Sequence, residues 1–392
     1  MRKRTYFVVG FTMLLAVASL VAGPLTPPVG PVTSTNKTLQ EVEPRTAINL
    51  TNTPGDADSL FKITQPGSYY LTGNITGLAG RHGIEITTSG VTLDLMGFAL
   101  SGSAEVPALD GVSTTVFSRT NITIRNGSVR GWGGEGVDLG TFGAFNSAVI
   151  DVHASGNTGN GIASGSGSTI AGCTASFNTG DGIVAGEGST ITGCTAFGNI
   201  GNGISASTGI SITGCTAYNN TGSGITAGNG NMVAGCTASF NTGSGILAGS
   251  GSTITGCTAS FNDGNGISAS TGSTISNCTT RANALDGIRV SFSCVVLANT
   301  CSGNGGNGSG IHVTGSDNRI EGNNCINAGR GIDVDLAGNI IIKNTCSGNT
   351  FNWDVVAGNV CLVVQGVTGG AILGNTGGIA PGSTDPNANF SY

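Results

Sequence analysis

Arg289, His312, Asp333 and Asp354 carry the side chains of acid–base chemistry at a regular interval. Each follows a pair whose second member is large and apolar: Gly287-Ile288, Gly310-Ile311, Gly331-Ile332 and Asn352-Trp353. If the apolar residue points inward on a strand, the next residue points outward. The four then form one outward column. Two carboxylates beside an imidazole are the composition of a general acid and base, and an arginine is a natural fork for a sugar carboxylate. Asp333, Asp354, His312 and Arg289 are therefore the candidate catalytic set. Stacked carboxylates repel unless a cation or a shared proton intervenes. No cofactor is expected beyond a weakly held divalent cation at Asp333/Asp354. Asp335 lies on the same face, two residues along. The competing reading is a mixed-charge column that only holds strands together. A second group surrounds Trp132 in the stretch RGWGGEG, between Arg130 and Glu135. An exposed tryptophan flanked by charges suits stacking on a sugar ring; an anchor for its own loop is the alternative. Trp132, Arg130, Glu135 and Asp335 are the candidate carbohydrate contacts.

A strict repeat positions these residues. Cys173, Cys194, Cys215, Cys236, Cys257 and Cys278 are each 21 residues apart. Gly-Ile pairs from Gly161-Ile162 to Gly287-Ile288 and asparagines from Asn157 to Asn283 keep the same period. Within the unit GIVAGEGSTITGCTAFGNIGN, apolar residues alternate in bursts too short for a helix, bounded by Gly, Ser or Asn. Such bursts are short strands separated by turns. Three strands and three turns in 21 residues make one coil of an all-β parallel solenoid, each strand lying about 4.8 Å from its copy in the next coil. Counting outward along the Gly-Ile frame, from Gly83-Ile84 to Asn352-Trp353, gives 13 coils. Trp353 replaces the core Ile in the last of them and is expected to plug the C-terminal end.

Composition agrees with a narrow, extended core. Only 9% of the 392 residues are charged, 5% are aromatic and 69 are Gly. So few large side chains cannot fill one thick globular core. The net charge of −6 argues against nucleic acid as a partner. Arg2, Lys3 and Arg4, the apolar run from Tyr6 to Ala22 and the prolines that follow read as a signal peptide over residues 1–22. An uncleaved anchor is the competing reading. Residues 23–40 then form a Pro/Thr/Ser linker, 41–80 an N-terminal cap, 81–365 the solenoid and 366–392 a Gly/Pro/Asn tail. The expected location is secreted, periplasmic or cell-surface, with no membrane span after cleavage. The oligomeric state stays open.

The pattern N-x-x-x-G-I, with I-x-x-N or I-x-x-C in the same coil, resembles the right-handed parallel β-helix repeat proteins. These include the pectate-lyase-like superfamily and relatives of the copper-maturation protein NosD. The stretches SLFKITQPGSYYLTGNITG, VTLDLMGF and NITIRNGSVRGWGG are similar to the N-terminal coils of exported bacterial β-helix proteins. The resemblance implies the fold and leaves the activity open, since one fold hosts many functions. The N-T-D, D-D, G-H-G and R-I-K stretches of polygalacturonase-like members are missing, as is the R-x-P-x-x-R of pectate lyases. His82, His153 and His312 are far apart in coil number, which weakens a copper role. The column of six cysteines reads as buried thiols and the asparagine column as a turn device. Outward Thr rows, such as Thr190 and Thr192 above Thr253 and Thr255, admit an ice-binding solenoid as a minor alternative, although Met232 and Ala234 interrupt them. The leading expectation is a binding or structural protein of the cell surface or periplasm that contacts a polysaccharide or surface glycan. The alternative is a polysaccharide lyase or glycoside hydrolase.

Overall fold

The computed structural model describes residues 44–103, 109–366, 371–374 and 385–392. The expected signal peptide and linker, the first residues of 41–80 and much of the tail lie outside the described residues. What is described is β structure without a helix, so no helix is long and apolar enough to cross a membrane.

One coil shows how the sequence sets the fold. Ile183–Ala185, Thr190–Thr192 and Thr195–Phe197 are its three strands. Ile183, Ala185, Ile191, Cys194 and Ala196 are buried. Each strand pairs in parallel with its copy 21 residues on, Ile183 with Ile204, Ile191 with Ile212 and Ala196 with Ala217. The first strands of the coils form one 15-stranded parallel sheet, so the described residues hold 15 coils where the Gly-Ile frame counts 13. The first extra strand is Ser59–Ile63, within the segment read as a cap. Phe61 stands there in the Ile position, over Ile84, and no Gly precedes it. The second is Ala371–Gly374, which sets Ile372 on Trp353. Trp353 is thus sandwiched between Ile332 and Ile372 and does not plug the end. The second and third strands belong to a 28-stranded sheet. Ile122–Arg130 and Ala148–Ser155 run through both of these strand positions without a break.

Ladders line the inner corners. Each Asn from Asn157 to Asn283 is buried, and its Nδ2 donates to Oδ1 of the Asn in the next coil at 2.8–3.0 Å. The same Oδ1 accepts the backbone N–H one coil back, as from Asn199 to Asn220 at 3.0 Å. The left-handed φ of this turn belongs to the preceding residue, such as Gly156, Phe177 or Gly198. At the other inner corner the thiols of Cys173 to Cys278 donate to strand carbonyls, Cys194 Sγ reaching Thr192 O at 3.3 Å. Asn299, Asn323, Asn344 and Asn389 continue that corner as a second amide ladder.

An outer corner carries stacked rings that the sequence reading missed. Phe177, Phe197, Tyr218, Phe240 and Phe261 lie at centroid spacings of 5.0, 5.6, 5.3 and 4.9 Å, and the Arg281 guanidinium is 5.6 Å from the Phe261 ring. Phe177, Phe240 and Phe261 adopt φ of 55°, 57° and 57°. Where Gly198 and Asn219 hold that position, the ring comes from the residue before. A ring contact contributes roughly 0.5–1.5 kcal/mol, comparable to the ~1–2 kcal/mol of a left-handed residue.

Two outcomes follow. All 11 cysteines are buried and unpaired, so thiol titration should find 11 free thiols in denaturant and slow labelling in buffer. Disulfides after unfolding would contradict this. Asn220→Ala removes the acceptor for the Asn199 N–H and Nδ2, and the donor to Ala196 O and Asn241 Oδ1. Denaturant unfolding should show a loss of about 1–3 kcal/mol or more.

Candidate functional site

The outward column is in register as the repeat implies: Arg289 on His312, His312 on Asp333, Asp333 on Asp354. Their partners come from a neighbouring column, three residues earlier along the chain and two before each core Ile, which holds Asp286, Ser309 and Arg330. His312 is the hub. Its Nδ1 lies 3.0 Å from Asp286 Oδ2 and 3.2 Å from Arg289 Nη1. Its Nε2 lies 3.1 Å from Asp335 Oδ2 and 3.8 Å from Asp333 Oδ2. Burial pushes this imidazole toward neutrality, but the hydrogen bond and charge of Asp286, with Asp333 and Asp335 behind it, outweigh that and favour the imidazolium. Burial likewise raises Asp286. The His312 contact, the Ser309 N–H and the Arg289 charge overcome it and hold that carboxyl below its usual range.

Asp333 is buried and held above the usual carboxylate range by that burial, with Asp354 and Asp335 adding to the effect and His312 and Arg330 opposing it. Its Oδ2 accepts from Ser309 Oγ at 3.2 Å. Stacking of Asp333 on Asp354 is relieved by Arg330, whose Nε is 2.8 Å from Asp354 Oδ2 and 3.7 Å from Asp333 Oδ2. The guanidinium does what a divalent cation between Asp333 and Asp354 was expected to do. Beside it opens a pocket of about 220 Å³ lined by Gly306, Asn307, Gly329, Arg330, Thr350 and Phe351. Asp286 and Arg330 were legible in principle: both stand two residues before the core Ile of their strands, a column that the frame defines as sharply as the one after it.

The second predicted group does not assemble. Trp132 is buried, not a surface platform. Its Nε1 donates to Leu100 O at 3.2 Å and its N–H to Asn157 Oδ1 at 3.0 Å, at the head of the amide ladder. Its ring fills space left by Gly77, Gly83 and Gly111, where a β-carbon would collide with it. Stacking of Trp132 on a sugar is thereby excluded. Arg130 is exposed and donates to Ser101 Oγ, on a strand of the other sheet. Glu135 instead joins Asp110 and Asp138, the three offering carboxylate oxygens within 4.8 Å of one another. His82 Nδ1 accepts from the Asp110 N–H at 3.1 Å. Lys62, Glu85 and Asp138 occupy the outward column at this end, so the column is charged at both ends and quiet from Ala163 to Ser268.

Burial, followed by the contact with Asp110 and the charge of Asp138, raises Glu135 to about 7 from 4.5. Glu135 ionises later in the folded chain than in the unfolded one. Its contribution to stability is therefore full below pH 4.5 and declines as pH rises through 7. Melting curves across this range should show that decline in the wild type and a shallower one in Glu135→Gln. An identical slope in both would contradict the assignment.

Comparison with known proteins agrees with this architecture. The profile described as a right-handed β-helix region matches residues 110–253 and 228–380. Comparison with curated proteins gives no match. Among solved structures, the A-module of the Azotobacter vinelandii mannuronan C-5 epimerase AlgE4 is similar, at 17% identity over 80% of this chain and 91% of that one, with a TM-score of 0.53. The A-module of AlgE6 from the same organism covers 88% of this chain and 87% of its own at 15% identity, with a TM-score of 0.45. The periplasmic alginate epimerase AlgG covers 67% and 75% at 14% identity, with a TM-score of 0.47. At these identities the likeness concerns the fold. From the period, the coil pairing and the matched region together, the chain belongs to the right-handed β-helix family.

Proposed function

We propose that this chain is an exported β-helix that binds a polysaccharide at the C-terminal end of its 15-stranded sheet, in the periplasm or at the cell surface. The observation that carries binding over catalysis is the placement of His312. Both of its ring nitrogens face carboxylates, Asp286 on one side and Asp335 on the other. A ring whose two nitrogens both face carboxylates of its own chain is engaged on both sides and poorly placed to exchange a proton with a substrate. The expected acid–base set is spent on its own neighbours. What remains outward is a mosaic of carboxylate acceptors and guanidinium donors, with the Arg289 and Arg330 side chains 44% and 36% exposed beside the Phe351 pocket. Alternating donors and acceptors at strand spacing suit the hydroxyl groups of a sugar chain. The solved neighbours named for mannuronan and alginate epimerisation make a glycan partner reasonable on this fold.

A glycan array followed by calorimetry tests the proposal. Arg289→Ala with Arg330→Ala should weaken the best ligand at least about tenfold, or ~1.4 kcal/mol. Absence of any glycan ligand, or unchanged affinity in the double variant, would refute it. Release of reducing or unsaturated sugar products would replace binding with the hydrolase or lyase reading.

A further inference from the structure

We infer that His312 Nε2, Asp333 Oδ2 and Asp335 Oδ2 form a three-ligand site for a first-row divalent cation, with Asp286 orienting the imidazole from behind. The site shares residues with the proposed glycan surface but needs no glycan, so the two proposals fail separately.

Geometry comes first. The three ligand atoms lie within 4.8 Å of one another, with Nε2 3.1 Å from Asp335 Oδ2 and 3.8 Å from Asp333 Oδ2. Two ligands each about 2.0–2.2 Å from a common ion lie roughly 3–3.6 Å apart. The cluster is thus already near the edge lengths of a coordination sphere. All three residues belong to adjacent strands of one sheet, Ser309–Val313 and Arg330–Val334, or to the residue directly after. The backbone N–H of Asp335 is itself bonded to Val313 O at 2.9 Å, which fixes that residue.

Second, the imidazole is aimed. Nδ1 faces the buried carboxylate of Asp286 at 3.0 Å, and Asp286 is anchored by the Ser309 N–H at 2.9 Å. A carboxylate that accepts Nδ1–H selects the tautomer whose Nε2 lone pair points the other way. Here that direction is toward Asp333 and Asp335.

Third, charge is unbalanced. Asp286, Asp333, Asp335 and Asp354 face Arg289 and Arg330, which leaves two negative charges when His312 is neutral. One divalent ion neutralises the cluster. Asp333 is the side chain with the most to gain. It is buried, and its only hydrogen bond among the described residues is from the Ser309 hydroxyl.

The donor set indicates the class of ion. One imidazole nitrogen and two carboxylates suit Mn²⁺ or Zn²⁺, whereas Ca²⁺ takes 6–8 oxygens. Mn²⁺ is the probe of choice, because the 11 thiols would compete for Zn²⁺ in any unfolded fraction.

The experiment is an Mn²⁺ titration of the chelator-treated full chain followed by electron paramagnetic resonance. About one ion per chain should bind. His312→Gln and Asp335→Asn should each weaken binding at least tenfold, and Asp286→Asn should weaken it about ten- to a hundredfold. Glu135→Gln, in the separate N-terminal cluster, should leave it within about twofold. In parallel, Mn²⁺ should broaden the imidazole signals of His312 in the wild-type chain and spare those of His82 and His153. That measurement decides the matter if a variant fails to fold. No bound Mn²⁺, broadening at His82 in place of His312, or loss of binding in Glu135→Gln would each overturn the assignment.

Discussion

Each strand of this solenoid sits on its copy one coil away. That is the constraint from which the rest follows. Parallel in-register pairing satisfies the backbone of each short strand only by way of its neighbours. A three-residue strand has no stability of its own, so the amide ladders matter as much as the sheets. Each buried Asn satisfies its own amide and a turn N–H of the adjacent coil. The turn is thus specified by the stack and not locally. For that reason the left-handed position before it tolerates even Phe177 or Phe261. The ring stack then returns part of the cost.

The same constraint governs charge. A column places like on like at about 4.8 Å, so a charged residue repeated in every coil would accumulate repulsion. The middle coils avoid this by leaving the outward column uncharged. At the C-terminal end the compensating partner comes from the adjacent column. Arg330 answers Asp354, and Asp286 answers His312. At the other end Lys62 answers Glu85 and Asp56. The C-terminal cluster is therefore a two-column object. Its irreducible part is a buried carboxylate, Asp333, which neither column fully neutralises.

The repeat made the coil, its three strands and the register of Arg289, His312, Asp333 and Asp354 legible, because period and burial follow from the same alternation. Three things were not legible for specific reasons. Ser59–Ile63 and Ala371–Gly374 lack the Gly-Ile signature, yet the sheet accepts them because pairing needs only an extended strand with an apolar centre. Trp132 looked exposed because glycines surround it in sequence. Those that matter are Gly77, Gly83 and Gly111 in earlier coils, and they vacate the interior for its ring. Arg330 and Asp286 stand in a column that is polar through the middle coils, with Asn160, Asn202 and Ser223, so residue type alone does not mark them.

Position along the rod explains why the chemistry concentrates at the ends. A middle coil is pinned by two identical neighbours, so a departure from the repeat disturbs both interfaces. Toward the ends the repeat has already loosened, and a new side chain need only suit a neighbour that is itself irregular. The insertion that lengthens the coil between Gly287 and Gly310 illustrates this. It adds residues ahead of Ser309, and the strand there extends to Ser309–Val313 where the middle coils have three residues. The longer strand brings Ser309 and Arg330 into register. That register places a hydroxyl under Asp333 and a guanidinium over Asp354. The loosened period thus lengthens the strands that carry Ser309 and Arg330, while Asp286 stands in the same column at the end of a regular 21-residue coil.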